Sequence, residues 1–493
     1  MRLTFLLSTT LLVGSLVWGC AEEGTPARGT TGGNSEVDDA GDSDDSDDTK
    51  TDSASPGSGK KDAGRVDAGK VTADAGKKPT DTTGKDAGPS APKDAATSDA
   101  GGEVATFEGP FTLPDFANLA PPLGEPLDPK ASSKVTPAAP TGWVWYDIPG
   151  AICRDGSPTG FYVHFAESDS LLVYLEGGGA CTSPGFCAYN PKNVNQVLSG
   201  DGQTLIGSVG GATSGRQQPG KDGIFALGNA QNPFKDWSMV YIPYCTGDVH
   251  FGTRTNVMVP GVDEKQQFVG YRNMEKFVAR LAPTFQDKAK QVVLTGASAG
   301  GFGASLNYSL VQDTFKDARV MALDDSGPPF PDKIEPVCMQ KKWRELWGFA
   351  DSFPKDCKEC QQADGGGLGN FGVFLQKKHP NYTFASLSST QDEVIRSFYA
   401  PGLDNCSGFD TGDPATAVLF SFPAEQYTEG LLASRAQYLP SKAFASYYIN
   451  GAGNKTYHQH LWRPRFYEAA QGNVTIAAWV KDFISGKMTQ VGP

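Results

Sequence analysis

The segment at residues 296–300, which reads Gly-Ala-Ser-Ala-Gly, constrains the fold of this chain more than any other feature. A short apolar run, 291–295, precedes it and predicts a buried strand. Residues 302–308 follow it and predict a helix. Only small residues flank Ser298, as so tight a turn requires, and the serine hydroxyl is then exposed at the carboxyl end of a sheet.

This order of strand, G-x-S-x-G and helix is typical of the nucleophile elbow of α/β-hydrolases. The five-residue motif occurs by chance in many chains, but the flanking strand and helix strengthen the interpretation. The backbone N–H of Ala299 is expected to point to where an oxyanion would form. We therefore predict that Ser298 is a catalytic nucleophile.

Residues 1–19 predict an export signal, with Arg2 before an apolar core that is short for a membrane span. The core ends at Gly19 and Cys20, and a small residue before a cysteine resembles a bacterial lipobox, although Trp18 is bulkier than that motif usually has. We predict a lipid anchor on Cys20 and an exported bacterial lipoprotein at the outer membrane or cell surface. The alternative is an ordinary secretory signal followed by an unrelated cysteine.

Residues 20–104 predict a disordered tether. They are rich in Asp, Ala and Gly and contain no aromatic residue, so they have too little apolar surface to offset the entropy of ordering. From residue 21 onward the segment carries 19 acidic and 10 basic side chains, which is most of the chain's net charge of −13. The body beyond it has no basic stripe, which argues against nucleic acid as a partner.

Residues 105–493 predict one α/β-hydrolase-like domain, with a mostly parallel sheet, helices on both faces and an inserted cap or loop region at 327–383. Further strands are predicted at 171–175, 237–243, 318–323, 384–387 and 445–449, and helices at 268–281 and 474–484.

Eight cysteines in the body of an exported chain predict disulfides, although the sequence does not determine their connectivity. Cys181 with Cys187 and Cys357 with Cys360 are close enough for local loops. A zinc or redox interpretation of the second pair is weak, because no second Cys/His pair has matching spacing. We predict no metal ion and no cofactor.

A serine nucleophile needs a base, and hydrolases of this fold carry the serine, the acid and the histidine in that order. This order excludes His164 and His250, and His379 beside two lysines has the features of a surface histidine. His458 and His460 follow a strand and a glycine-containing loop. Either can be the base, and the other is expected at the surface.

Topology leaves the acid open between two positions. Asp324 and Asp325 end the strand after the nucleophile, whereas Asp392 begins a helix and could be only an N-terminal helix charge. A second contributor to an oxyanion hole is expected at the glycine run 177–179, where the backbone can approach a substrate with no Cβ in the way.

Three ordered segments carry a specific resemblance: LEGGGAC at 175–181, VYIPYCTGD at 240–248 and LTGASAGG at 294–301. They resemble the pectin acetylesterase family, which includes the Notum-type carboxylesterases, and the resemblance covers most of residues 140–465. It implies an α/β-hydrolase fold and a Ser-Asp-His triad that removes acyl groups from oxygen esters.

The resemblance implies a triad and an oxyanion hole at particular residues. The triad falls on Ser298, Asp392 and His458, and the oxyanion donors on Gly178 and Gly179, with Ala299 after the nucleophile. The doubled histidine departs from the family pattern, so the choice between His458 and His460 stays open.

Together these features predict a tethered, monomeric serine carboxylesterase that removes O-acyl groups, with O-acetyl groups on an extracellular polysaccharide such as pectin as the favoured substrate. One alternative is an esterase for longer acyl chains, as on a lipidated protein, and the depth of the pocket would separate the two. Another alternative is a glycan-binding surface protein that has kept the fold and lost its activity.

Overall fold

The computed structural model describes residues 123–131, 139–195, 218–407, 422–450 and 457–493. All of them lie in one unit of the chain, 95–493. The predicted export signal, Cys20 and the predicted tether lie outside the described residues and stay predictions. None of the described helices is long and apolar enough to cross a membrane.

The described residues form thirteen strands. They are β1 Val144–Ile152, β2 Pro158–His164, β3 Ser170–Leu175, β4 Ser238–Ile242, β5 Arg254–Val257, β6 Gln266–Phe268, β7 Gln291–Ala297, β8 Arg319–Asp325, β9 Thr383–Ser389, β10 Phe444–Ile449, β11 Ala470–Gln471, β12 Val474–Thr475 and β13 Gln490–Val491.

Nine of these strands form one sheet in the order β1-β2-β4-β3-β7-β8-β9-β10-β13. The pairs from β4 to β13 are parallel, and only β1 with β2 and β2 with β4 are antiparallel. The predicted mostly parallel sheet is therefore confirmed. Since the carboxyl ends of parallel strands meet at one edge, the residues that follow β3, β7, β8 and β9 lie near one another.

The same residues contain ten α-helices. They are α1 Pro184–Ala188, α2 Gly270–Phe285, α3 Ala299–Leu306, α4 Tyr308–Thr314, α5 Val337–Trp347, α6 Phe371–Lys378, α7 Glu393–Tyr399, α8 Ala424–Tyr438, α9 Arg465–Glu468 and α10 Ile476–Ile484.

Strands in the middle of the sheet are apolar along their whole length because both faces are covered. In β7, Val292 and Leu294 belong to one apolar cluster, with side chains of α2, α5 and α8, whereas Val293 belongs to a second cluster with α10. Helices therefore cover both faces, as the sequence predicted. The six predicted strands agree with the structure to within two residues at either end.

The eight body cysteines form four disulfides: Cys153–Cys245, Cys181–Cys187, Cys338–Cys406 and Cys357–Cys360. Both predicted local loops are confirmed. The predicted cap region holds α5 and α6, and the Cys338–Cys406 disulfide ties α5 to the segment after α7. Within the described ranges, no group of three or more His, Cys, Asp or Glu side chains is arranged to hold a metal ion.

Candidate active site

Ser298 lies in the turn between β7 and α3 with φ 58° and ψ −122°, a conformation that is rare for a residue with a side chain. Its N–H donates to the carbonyl oxygen of Asp325, 2.8 Å away, which ties the turn to the end of β8. A Cβ at Gly296 would lie 2.3 Å from the carbonyl oxygen of Gly300, and one at Gly300 would lie 2.0 Å from that of Leu175. The turn therefore excludes larger residues at both glycines.

Asp392 is fully buried at the start of α7, and both of its carboxylate oxygens accept hydrogen bonds. Oδ1 accepts from the N–H groups of Val394 and Ile395, at 3.0 Å each, and so caps the helix. Oδ2 accepts from Nδ1 of His458 at 2.8 Å. Asp392 is therefore both a helix cap and the partner of a histidine.

Because a carboxylate only accepts, the bond to Asp392 places the proton of His458 on Nδ1 and leaves Nε2 as an acceptor. Nε2 is buried and has no hydrogen-bond partner in the described part of the chain.

The hydroxyl of Ser298 also makes no hydrogen bond to a described residue, so Ser298 and His458 are not directly bonded in this structure. The serine turn and the segment that carries His458 both pack against the glycine run. A Cβ at Gly177 would lie 3.0 Å from Ser298 Cβ and 3.1 Å from Nε2 of Gln459, the residue after His458. Catalytic hydrogen bonds are often long without substrate, so the lack of a direct bond is compatible with a nucleophile and its base.

The expectation that one of the two late histidines lies at the surface is wrong. His460 is fully buried, its Nε2 lies 3.4 Å from Ser389 Oγ, and burial lowers its pKa to about 3. The side chain of His458 is only 7% exposed. His379 is also not a plain surface histidine, because it is half-buried with Nε2 2.8 Å from Ser309 Oγ.

Asp324 and Asp325, the other candidate acids, bond to no imidazole nitrogen of the described residues. Oδ2 of Asp325 accepts from the N–H groups of His460 at 2.6 Å and Leu461 at 2.8 Å, and Oδ1 of Asp324 accepts from the N–H of Gly327 at 2.9 Å. Burial raises the pKa of Asp325 to about 6, against those hydrogen bonds, which lower it. Asp392 is thus the carboxylate that the geometry pairs with a histidine.

The glycine run supplies backbone donors next to the serine. Gly179 has φ 79°, and a Cβ there would lie 3.3 Å from Cζ of Phe398. The carbonyl oxygen of Gly178 accepts from Nδ2 of Asn190 at 2.9 Å, which holds the run in place. The N–H groups of Gly178, Gly179 and Ala299 donate to no other described residue. Since buried N–H groups are nearly always paired, three free donors here are suited to an oxyanion.

A cavity that is partly open to solvent lies against Ser298, Ala299 and Gly179, and the space of about 590 Å³ that it spans includes open solvent. Its wall is almost entirely apolar, and within it the rings of Trp343 and Trp347 stack with centres 5.6 Å apart. The other large apolar side chains of the wall are Val249, Phe302, Leu306, Phe349, Leu368, Ile395, Phe398 and Tyr399.

Two residues that the sequence did not indicate complete the frame of the site. Ser326 and Gln459 have positive φ, 62° and 64°, and the N–H of Gln459 donates to Ser326 Oγ at 3.1 Å. Such conformations cluster at functional sites. Nothing in the identity of a serine or a glutamine shows that it will adopt one, so no feature of the sequence could have found this pair.

Residues 145–378 match the model of the pectinacetylesterase family. This part of the chain belongs to that family. The match includes Ser298 and the glycine run but ends before Asp392 and His458. The pairing of acid and histidine lies beyond this pectinacetylesterase match and therefore rests on the geometry described above.

Two curated relatives illustrate the likeness. Palmitoleoyl-protein carboxylesterase notum2 of Xenopus laevis is 30% identical over 183 residues, which cover 36% of this chain and 34% of the relative. Pectin acetylesterase 5 of Arabidopsis thaliana is 32% identical over 183 residues, which cover 36% and 39%. The chain thus spans between about a third and two-fifths of the length of these two relatives.

Among solved structures, the Wnt deacylase Notum from Drosophila is similar to this chain. The sequence identity is 18% and the TM-score is 0.46, over 70% of this chain and 94% of the other.

Proposed function

We propose that this protein is a serine carboxylesterase in which Ser298, His458 and Asp392 form the triad. The observation that carries the proposal is the 2.8 Å bond between Asp392 and His458, which leaves an imidazole nitrogen without a partner among the described residues. The next residue, Gln459, lies with Ser298 against Gly177. The free N–H groups of the glycine run support it, because an ester carbonyl that reacts with Ser298 needs donors for its negative oxygen.

In this mechanism Nε2 of His458 takes the proton of Ser298 as Oγ attacks the ester carbonyl carbon. The tetrahedral oxyanion is stabilised by the N–H groups of Gly178, Gly179 and Ala299. His458 then gives its proton to the leaving alcohol, and the acyl group remains on Ser298. Water, activated by the same nitrogen, hydrolyses the acyl-enzyme. Asp392 orients the imidazole and stabilises it while it is charged.

Two kinds of acyl group are candidates for the one that the enzyme removes. The family name favours an O-acetyl group on an extracellular polysaccharide such as pectin. The cavity favours a longer acyl chain, because its almost entirely apolar wall, with two stacked tryptophans, offers more apolar surface than an acetyl group can cover. Each methylene that enters an apolar cavity contributes about 0.8 kcal/mol, or roughly fourfold in kcat/KM.

A series of p-nitrophenyl esters from acetyl to palmitoyl tests both proposals. We expect hydrolysis by the wild-type protein and a loss of several orders of magnitude in Ser298→Ala. Rising kcat/KM with chain length supports the longer acyl group, and a maximum at acetyl supports the polysaccharide. Leu368 lies in the cavity wall, so the larger side chain of Leu368→Trp should occupy part of the cavity and shift the preference to shorter acyl chains. No hydrolysis and no labelling by a fluorophosphonate would instead favour a non-catalytic glycan-binding protein.

Export, attachment to a membrane through Cys20 and a monomeric state are further parts of the proposal, and they rest on the sequence alone. Cys20→Ser should move the protein from the membrane fraction to the soluble fraction. A wild-type protein that is wholly soluble would contradict the anchor.

A further inference from the structure

The end of β8 fixes the segment that carries the candidate base. Oδ2 of Asp325 accepts from the N–H groups of His460 and Leu461, and Oδ1 accepts from the hydroxyl of Ser326 at 2.9 Å. That hydroxyl oxygen in turn accepts the N–H of Gln459 at 3.1 Å. Three consecutive N–H groups that directly follow His458 are thus held by two adjacent residues. Successive N–H groups that converge in this way form a good site for an anion.

The same residue also fixes the nucleophile. The carbonyl oxygen of Asp325 accepts the N–H of Ser298 at 2.8 Å, so one residue contacts both the serine turn and the histidine segment 457–461. Asp392 fixes the ring of His458 from the other side. The position of the imidazole relative to Ser298 therefore depends on Asp325 as well as on Asp392.

We infer that Asp325 is a positioning residue: its carboxylate holds the histidine segment so that His458 faces Ser298, and its charge helps to stabilise the imidazolium. This inference rests on the proposed serine esterase function. It gives Asp325 a role distinct from that of Asp392, since among the described residues Asp325 accepts no hydrogen bond from an imidazole nitrogen and does not line the substrate cavity.

Ionisation of the buried Asp325 carboxyl costs free energy in the folded protein. Its side chain is fully buried, and burial raises its pKa to about 6. Among the described residues, the titratable and charged groups that face it are Asp324, His458, Arg463, Arg465 and Tyr174. Its pKa is above that of an unfolded aspartate, so its ionisation as pH rises through 4 to 6 lowers stability. A buried carboxylate whose ionisation lowers stability is expected at a functional site rather than at a purely structural one.

The test compares Asp325→Asn with Asp324→Asn in the full chain. The amide of Asp325→Asn can still accept from His460 and Leu461 but carries no charge. The amide nitrogen cannot accept from Ser326, whose hydroxyl holds Gln459, and the charge near the imidazolium is lost. We therefore expect kcat to fall by about 10- to 100-fold. KM should stay within about twofold, because the acyl cavity is elsewhere. The acid limb of the pH–kcat/KM profile should move down by about one unit, because the imidazolium loses a nearby negative charge. The melting temperature at pH 8 should not fall.

Asp324→Asn is the matched control. Asp324 is equally buried, but among the described residues its carboxyl accepts only the N–H of Gly327, and it bonds to neither the serine turn nor the histidine segment. It should leave kcat and the acid limb unchanged. Wild-type kinetics in Asp325→Asn would overturn the inference. So would a lower melting temperature with an unshifted acid limb, which indicates a structural role alone.

Two further measurements keep the test decisive. If Asp325→Asn does not fold, Ser326→Ala removes the link to Gln459 and should lower kcat in the same direction without changing KM. If the wild-type protein hydrolyses no ester, the proposed function fails, but NMR titration of the five histidines still tests Asp325. A lower pKa of His458 in Asp325→Asn then supports the electrostatic contact, and an unchanged pKa overturns it.

Discussion

At the scale of single residues, one oxygen of Asp392 caps α7 and the other holds His458, and a substitution can remove the second function while keeping the first. In Asp392→Asn the amide oxygen can still cap α7, because asparagine is as good an N-cap as aspartate. The amide cannot hold the imidazole in the tautomer that leaves Nε2 free, so we expect kcat to fall by about 10⁴. Stability should change by less than about 1 kcal/mol. Kinetics on one activated ester and urea unfolding measure both. A parallel loss of activity and stability would contradict this separation.

The two late histidines should respond in opposite ways. His458→Ala should abolish turnover with little effect on stability, since among the described residues only Asp392 bonds its ring. His460→Ala should lower the free energy of unfolding by roughly 1–3 kcal/mol, because it empties a fully buried position. Its kcat, measured at a temperature where the protein is folded, should fall by less than about tenfold. If His460→Ala is the inactive and stable variant, the assignment of the base is wrong.

These residues also show how far sequence reasoning extends. The serine turn and the glycine run were predictable because close backbone contacts demand small residues, and small residues are visible in a sequence. The acid and the base were not predictable from topology, since their pairing depends on loops that are distant in the chain. The positive φ of Ser326 and Gln459 left no mark in the sequence at all.

At the scale of elements, Gly179 in the glycine run after β3 has a left-handed conformation and also lies close to a neighbouring side chain. Gly156 shares the conformation but not the close contact, so it serves as a control for the effect of the conformation alone. Gly179 and Gly156 have φ 79° and 85°, but a Cβ at Gly156 would meet nothing within 4 Å. Alanine at either position should lower stability by about 1–2 kcal/mol because of its φ. Only Gly179→Ala should also lower kcat, by up to about 10²-fold, because it displaces an oxyanion donor. Equal kcat in the two variants would contradict a role for Gly179 in the oxyanion hole.

Elements differ in how well their sequences describe them. Strands β3, β7 and β8 were predicted because strands covered on both faces are continuously apolar. The predicted helix at 302–308 is instead α3, which begins directly after Ser298, followed by α4. The cap region was located but its internal order was not, because α5 is placed by the Cys338–Cys406 disulfide and by packing over the cavity. Neither the disulfide nor the packing follows from local pattern.

At the scale of the whole molecule, several buried ionisable groups make stability depend on pH in opposite directions. Burial lowers the pKa of His250 to about 4 and that of His460 to about 3, so these histidines reduce stability as pH falls below their unfolded value near 6.5. Burial raises the pKa of Glu335 to about 8, so this carboxyl reduces stability as pH rises. Intermediate pH is therefore expected to favour the folded state.

Glu335 allows the alkaline part of this dependence to be isolated. It is fully buried just before α5, where Oε2 accepts from the N–H of Phe330 at 2.9 Å and Oε1 has no partner among the described residues. Its carboxyl ionises near pH 4.5 when unfolded and about 8 when folded, so the folded state binds the additional proton between these values. Glu335→Gln carries no charge at any pH. Relative to wild type, it should gain several kcal/mol of stability between pH 5 and pH 9.

Urea unfolding of both proteins at pH 5 and pH 9 measures that gain. A penalty for burying the amide changes the stability of Glu335→Gln equally at both pH values, and the buried histidines are common to both proteins. The effect of the Glu335 charge is therefore the change, from pH 5 to pH 9, in the stability difference between the two proteins. The ester kinetics should not change at pH 7, since Glu335 lies outside the cavity wall and contacts neither Asp392 nor His458. An equal stability difference at pH 5 and pH 9 would show that Glu335 ionises normally in the folded protein, and that burial before α5 does not exclude its charge.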